Sequence, residues 1–161
     1  MKYLPQMNEK MRFYCENGYY FRSNEKDPIP THVVPKKDPK KGRLVFNEVA
    51  RNKNTVRTRY PLPNRDGLIL EVMSRDHKSQ FDQLWAFERL RVPRADERKT
   101  SWQSQYGQFC SRVASMGNIN IAGDFQKCQD HLAGHRLGDT LFPYVDNQCV
   151  ATNGTLYYHV P

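Results

Sequence analysis

Seven prolines, Pro5, Pro28, Pro30, Pro35, Pro39, Pro61 and Pro63, fall within the first 63 residues of a 161-residue chain. Each removes a backbone donor and biases the residue before it away from helix. Neither a long helix nor an uninterrupted central strand is expected there. Residues 27–39 therefore read as extended, polyproline-like chain rather than as part of a sheet. Short strand-like pieces lie around this run at 12–14, 18–21 and 43–49, none long enough to anchor a fold alone.

The length allows one domain at most. Leu, Ile, Val and Phe number 34 of 161 residues, about 21%, just above the level at which high charge signals disorder. A core is possible but thin. Apolar runs are a few residues long, against about 20 needed to span a bilayer, which excludes a transmembrane helix. Residues 1–30 contain no apolar stretch ending in a small-residue cleavage site, so no secretory signal is expected.

One segment has a helical period. Phe81, Leu84, Phe87 and Leu90 recur every three residues with Trp85 beside them. Ser74 can cap that segment and Pro93 can stop it, which predicts a helix over about 74–92. A second, weaker helix is predicted over 124–132, with Phe125, Cys128 and Leu132 on one face and Gly134 after it. The resulting expectation is a mostly irregular, extended chain with one or two short α-helices and a small core or none. It divides into a basic, Pro-rich arm (1–63), a helix-containing central segment (64–135) and an extended C-terminal tail (136–161).

Charge is concentrated at one end. Residues 1–60 hold 14 Lys and Arg against 6 Asp and Glu, whereas residues 101–161 hold 3 against 4. Lys36, Lys37, Lys40, Lys41, Arg57 and Arg59, with the aromatic Tyr60, make this arm a candidate surface for an acidic partner. Such bases neutralise phosphates and such rings stack on exposed bases, although arginine and tyrosine suit a protein interface equally well.

Catalytic and metal patterns are sparse. No glycine-rich loop opens a helix and no Gly-x-Ser-x-Gly elbow occurs, so the chain reads as a non-enzyme without a cofactor. Cys128, His131 and His135 have helical spacing that a zinc ion could use, but the second short ligand pair of a structural zinc site is missing. With no secretory signal, the four cysteines are expected to be free thiols in the cytoplasm.

Residues 95–107, Ala-Asp-Glu-Arg-Lys-Thr-Ser-Trp-Gln-Ser-Gln-Tyr-Gly, lead from charge into Ser-Trp-x-x-x-Tyr, and Arg57-Thr-Arg-Tyr-Pro61 and Leu141-Phe-Pro-Tyr144 have a related character. In this the chain resembles the small microtubule inner proteins of ciliary and flagellar doublets. The resemblance implies a structural protein of the cytoskeleton that threads along the luminal wall of the axoneme and stabilises the lattice, with tubulin and neighbouring axonemal proteins as partners and no membrane. On that reading Trp102 and Tyr106 anchor in clefts between subunits, or else pack on the 74–92 helix, while Arg57, Arg59 and Lys36, Lys37, Lys40 and Lys41 meet acidic patches. The alternative is an RNA- or ribosome-associated accessory subunit of a large complex, such as a mitochondrial one, with nucleic acid as its partner.

Overall fold

The structure, a computed structural model, describes residues 4–38, 41–156 and 159. In chain order the elements are α1 (Leu4–Glu16), β1 (Tyr20–Arg22), β2 (Ile29–Pro35), β3 (Gly42–Phe46), α2 (Val49–Lys53), α3 (Arg65–Met73), β4 (His77–Asp82), β5 (Trp102–Ser104), β6 (Gly107–Ser111), α4 (Ile121–Ala133), β7 (Leu141–Tyr144) and β8 (Asn147–Thr152). Short 3-10 turns lie at Phe87–Arg89, Glu97–Thr100 and Gly134–Arg136. These elements form two compact units: Met1–Val56 with Phe87–Ile119, and Arg57–Ala86 with Asn120–Pro161. The mostly irregular chain expected from composition is thus replaced by an α/β architecture with two sheets. Among the described residues no helix is long and apolar enough to cross a membrane.

The first unit is a five-stranded sheet in the order β1-β6-β5-β2-β3. Its core shows how so few aliphatic residues suffice, because aromatic rings supply the bulk. Trp102, only 1% exposed, meets Tyr20 edge-on at 5.1 Å, Phe46 edge-on at 5.3 Å and Phe109 stacked at 5.1 Å. Its indole Nε1 donates to Ser111 Oγ at 3.0 Å, so the one polar atom of the ring is satisfied. Met7, Met11 and Tyr14 occupy i, i+4 and i+7 of α1 and are buried, and Tyr14 stacks on Tyr20 at 4.8 Å. Residues 12–14 therefore lie in a helix rather than in a strand-like piece, with Pro5 tolerated in the first turn, where its missing donor has no intrahelical partner to lose.

The proline-rich run is also resolved differently from expectation. Pro30 and Pro35 lie near the two ends of β2, which pairs antiparallel with β3 over Thr31 to Pro35 and parallel with β5 only at Ile29 and Pro30. Most of β2 thus needs hydrogen bonds on one side alone, a position that accepts proline. A buried ion pair closes this unit's other end. Glu48, 3% exposed, meets Arg51 at 2.8 Å and accepts from Ser115 Oγ at 2.8 Å, while Arg51 Nη2 donates to the Ser101 carbonyl at 2.7 Å.

The second unit is a three-stranded antiparallel sheet, β4-β8-β7, with α4 packed on β7 and α3 on both β7 and β8. The predicted 74–92 helix does not form. Ser74 ends α3 instead of capping a new helix, and residues 77–82 pair over their whole length with β8. Trp85 then takes a positive φ of 55°, which a helix does not allow. The three-residue apolar spacing belonged to a strand, a turn and a 3-10 segment in succession. Helix α4 begins at Ile121, ahead of the expected start at 124, and buries Ile121, Phe125, Gln126, Gln129 and Ala133, while Leu132 is 73% exposed. The tail expected to be extended loop is the β7–β8 hairpin.

Two consequences follow for stability. Trp102→Ala removes the ring that contacts three other aromatic residues, and chemical denaturation should show a loss of about 3–5 kcal/mol. Burial pushes the Tyr14 and Tyr20 phenols well above the ordinary tyrosine pKa, with Glu88 adding to the effect at Tyr14. Both pKa values are raised in the folded state, so their contribution is complete below about pH 10 and is lost as pH rises beyond it. Tyrosinate absorbance should therefore appear for these two residues only together with unfolding, and separate, earlier ionisation would contradict the packing.

Candidate active site

In the second unit, strand pairing brings together the backbones of two aspartates that are far apart in sequence. Asp82, the last residue of β4, stands directly across from Asn147, the first residue of β8. The next amide, Gln83 N–H, donates to the Asp146 carbonyl at 2.9 Å. Opposed residues of an antiparallel pair have Cα atoms about 4.5–5.5 Å apart, so Asp82 and Asp146 occupy neighbouring backbone positions at one end of the sheet. Asp82 is exposed and Asp146 half-buried. Among the described residues neither carboxylate is engaged in a hydrogen bond or an ion pair. Asn147 beside them is held, its Oδ1 accepting from Gln80 Nε2 at 3.2 Å.

The turn that carries Asp146 is strained and clamped. Val145 has φ 53°, a left-handed conformation that a β-branched residue rarely adopts. Gln126, fully buried on α4, holds it there. Gln126 Oε1 accepts from the Val145 N–H at 2.7 Å, and its Nε2 donates to the Pro143 carbonyl at 3.0 Å. The same Nε2 donates to Asp130 Oδ1 at 2.7 Å, and Asp130 Oδ2 accepts from Tyr60 OH at 2.6 Å. The bond to Asp130 raises the Tyr60 pKa, keeping the phenol a donor. A buried amide with every group satisfied thus fixes the backbone on both sides of the turn.

Two free carboxylates, one at a strand end and one in the adjoining turn, suit a divalent cation. Magnesium is held by one or two carboxylates and leaves its remaining positions to water and substrate phosphates. Among the described residues no three His, Cys, Asp or Glu side chains converge on one point, so the protein offers this pair rather than a closed cage. Cys128 is half-buried, His131 and His135 are exposed, and the suggested zinc set does not assemble.

The residues singled out from sequence are dispersed. Lys36, Lys37 and Lys41 are exposed at the β2–β3 hairpin, where the Lys36 N–H donates to the Lys41 carbonyl at 2.9 Å; Lys40 lies outside the described residues. A groove of about 550 Å³ beside them is lined by Val34, Lys36, Lys37, Arg43 and Val45 among others. Arg57 and Arg59 are exposed, whereas Tyr60 lies on α4, its Cβ so close that a side chain at Gly123 would meet it at 3.4 Å. Trp102 is core and Tyr106 packs against that core, so the two do not form a pair of surface anchors. Asp82, Asp146 and Gln126 were not among the residues singled out. A two-residue turn between the apolar run 141–144 and the strand-forming stretch 147–152 was the available signal for a hairpin.

No protein-family model matches the chain. It is similar to the retrovirus-related Pol polyprotein from transposon 297 of Drosophila melanogaster, 23% identical over 88% of this chain and 14% of that protein. It is also similar to an RNA-directed DNA polymerase homolog of Oenothera berteroana, 25% identical over 73% of this chain and 84% of that protein. Among solved structures, a foamy viral protease-reverse transcriptase in complex with RNA/DNA hybrid matches with a TM-score of 0.84 and 18% identity, over 95% of this chain and 20% of that one. At that identity the likeness is one of fold.

These relatives overturn the resemblance to microtubule inner proteins, which rested on short, loosely patterned stretches. Tubulin, the axoneme and the cytoskeleton fall with it, because the relatives are retroelement polyproteins and polymerases. The nucleic-acid alternative lies nearer to them than the structural reading does. The expectation of a non-enzyme is overturned as well. It asked only for nucleotide-cradling glycines and a nucleophile elbow, whereas the relatives are Pol polyproteins, a polymerase homolog and a protease-reverse transcriptase.

Proposed function

We propose that this chain is a reverse-transcriptase-type module that acts on nucleic acid, with Asp82 and Asp146 as its catalytic carboxylates. The observation that carries this reading is that two aspartates with unengaged carboxylates occupy neighbouring backbone positions at the end of the β4–β8 pair, on a fold shared with a protease-reverse transcriptase. The RNA-directed DNA polymerase homolog, most of whose length this chain spans, points to template-directed phosphoryl transfer as the reaction.

Asp82 and Asp146 would hold the divalent ions of such a site, which neutralise charge on the phosphates and on the attacking and leaving oxygens. The chain's own part is positional. The β4–β8 register sets Asp82 and the turn that carries Asp146 at neighbouring backbone positions, and Gln126 keeps Asp146 from drifting with its strained turn. Elsewhere on the molecule, the exposed Lys36, Lys37, Lys41 and Arg43 of the first unit, and Arg57 and Arg59 of the second, supply cations for the phosphate backbone. The concentration of positive charge in the first 60 residues is consistent with that partner.

Primer extension on RNA and DNA templates with magnesium or manganese tests the proposal. Asp82→Asn and Asp146→Asn should each lower extension by about 100-fold or more while the chain stays folded. Extension that survives both substitutions would refute the assignment. Gln126→Leu, close in volume but without hydrogen bonds, should lose about 1–3 kcal/mol of stability and about 100-fold in extension through displacement of Asp146. A Gln126→Leu chain with full extension would show that the clamp does not position the site.

A further inference from the structure

In the first unit, α1, β1 and β6 enclose an open pocket of about 530 Å³ whose wall combines guanidinium groups with aromatic rings. Arg22 lies over the Phe109 ring at 5.1 Å, and its Nη1 donates to the Tyr106 carbonyl at 3.3 Å. Gly107 makes room for it, since a Cβ there would meet Arg22 Nη1 at 2.8 Å. Arg112 lies over Phe21 at 4.8 Å, donates to the Gly18 carbonyl at 3.3 Å and stands 3.5 Å from Glu97. Arg12 completes the set and is paired with Glu16 at 2.7 Å in full view of solvent.

The three cations are not equivalent. Arg12 and Arg112 each have a carboxylate partner, whereas among the described residues Arg22 has none. Stacking on an aromatic face fixes a guanidinium while leaving its edge donors available, so little freedom remains to be lost when it binds an anion. Cys15 lines the same pocket and is the one exposed cysteine of the four. Burial by its neighbours outweighs Arg22 and raises its thiol pKa, so in the pocket it serves as an accessible, slow-reacting reporter thiol.

We infer that this pocket is a binding site for the phosphate backbone of single-stranded nucleic acid, with Arg22 as its principal contact. A planar cation stacked on a ring can meet a phosphate along its edge and a base across its outer face, a pairing that single-stranded nucleic acid supplies and a simple anion does not. The inference rests on the nucleic-acid reading above and adds a site separate from the Asp82 and Asp146 carboxylates and from the β2–β3 hairpin.

Cys15 provides the readout. The rate of its alkylation by a maleimide, followed by peptide mass spectrometry, would be measured with and without an oligothymidylate of about eight nucleotides, alongside binding of the same oligonucleotide by fluorescence anisotropy. Protection of Cys15 in the natural chain is expected. Arg22→Ala should weaken that protection about tenfold and lower the salt dependence of protection by about 0.7 in log–log slope. Arg22→Lys, which keeps the charge but loses the stacked fork, should restore it only in part. Oligonucleotide binding without protection of Cys15 would overturn this site while leaving the nucleic-acid reading intact. Absence of any binding would overturn both. Equal protection by inorganic phosphate or polyglutamate would reject single-stranded nucleic acid as the occupant.

Discussion

The antiparallel register of His77–Asp82 against Asn147–Thr152 is the constraint on which the second unit depends. It joins segments far apart in sequence through six residue pairs and places β8 between β4 and β7. A slip of one residue would turn every side chain of β4 to the opposite face and would change where Asp82 stands relative to Asp146. The Gln83 amide bonded to the Asp146 carbonyl continues this pairing into the turn. The same hydrogen bonds that hold the sheet therefore set the backbone spacing of the two aspartates. Gln126 acts from behind, its buried amide oxygen accepting from the left-handed Val145 N–H and holding the turn.

The first unit reaches order by a different route. Its sheet is held by one ring system centred on Trp102, which explains how a chain poor in Leu and Ile can bury a core. Aromatic rings bury large areas with few side-chain torsions to freeze, so each contributes much for its conformational cost. Where the sheet's rings reach the surface at Phe21 and Phe109, arginines cover them. Covering a ring with a guanidinium shields apolar area from water and leaves the charge outside. A surface suited to anions is thus partly a by-product of how the core is closed.

Much of the charge distribution was legible in the sequence, and little of the sheet was. Exposed Lys36, Lys37, Lys41, Arg57 and Arg59 could be read from composition, because a run of bases has few ways to be buried. Strands β2 and β4 could not. Pro30 and Pro35 look like breakers until it is known that most of β2 has a partner on one side only. Phe81, Leu84, Phe87 and Leu90 look helical because a strand, a turn and a 3-10 segment happen to present apolar residues every three positions. Tyr60 reads as a surface group, and Trp102 as either a surface anchor or a ring packed on the 74–92 helix, for the same underlying reason: their partners, Asp130 and Ser111, are defined by tertiary packing. The carboxylate pair was hidden because neither Asp82 nor Asp146 has a distinctive neighbour; only the register between β4 and β8 makes them a pair.

The central claim is that Asp82 and Asp146 form one site for divalent cations. The most direct test is a manganese titration of the full chain followed by electron paramagnetic resonance, with Asp82→Asn and Asp146→Asn measured alongside. The account predicts bound manganese in the natural chain that either substitution removes. Manganese bound equally well by both variants would contradict it.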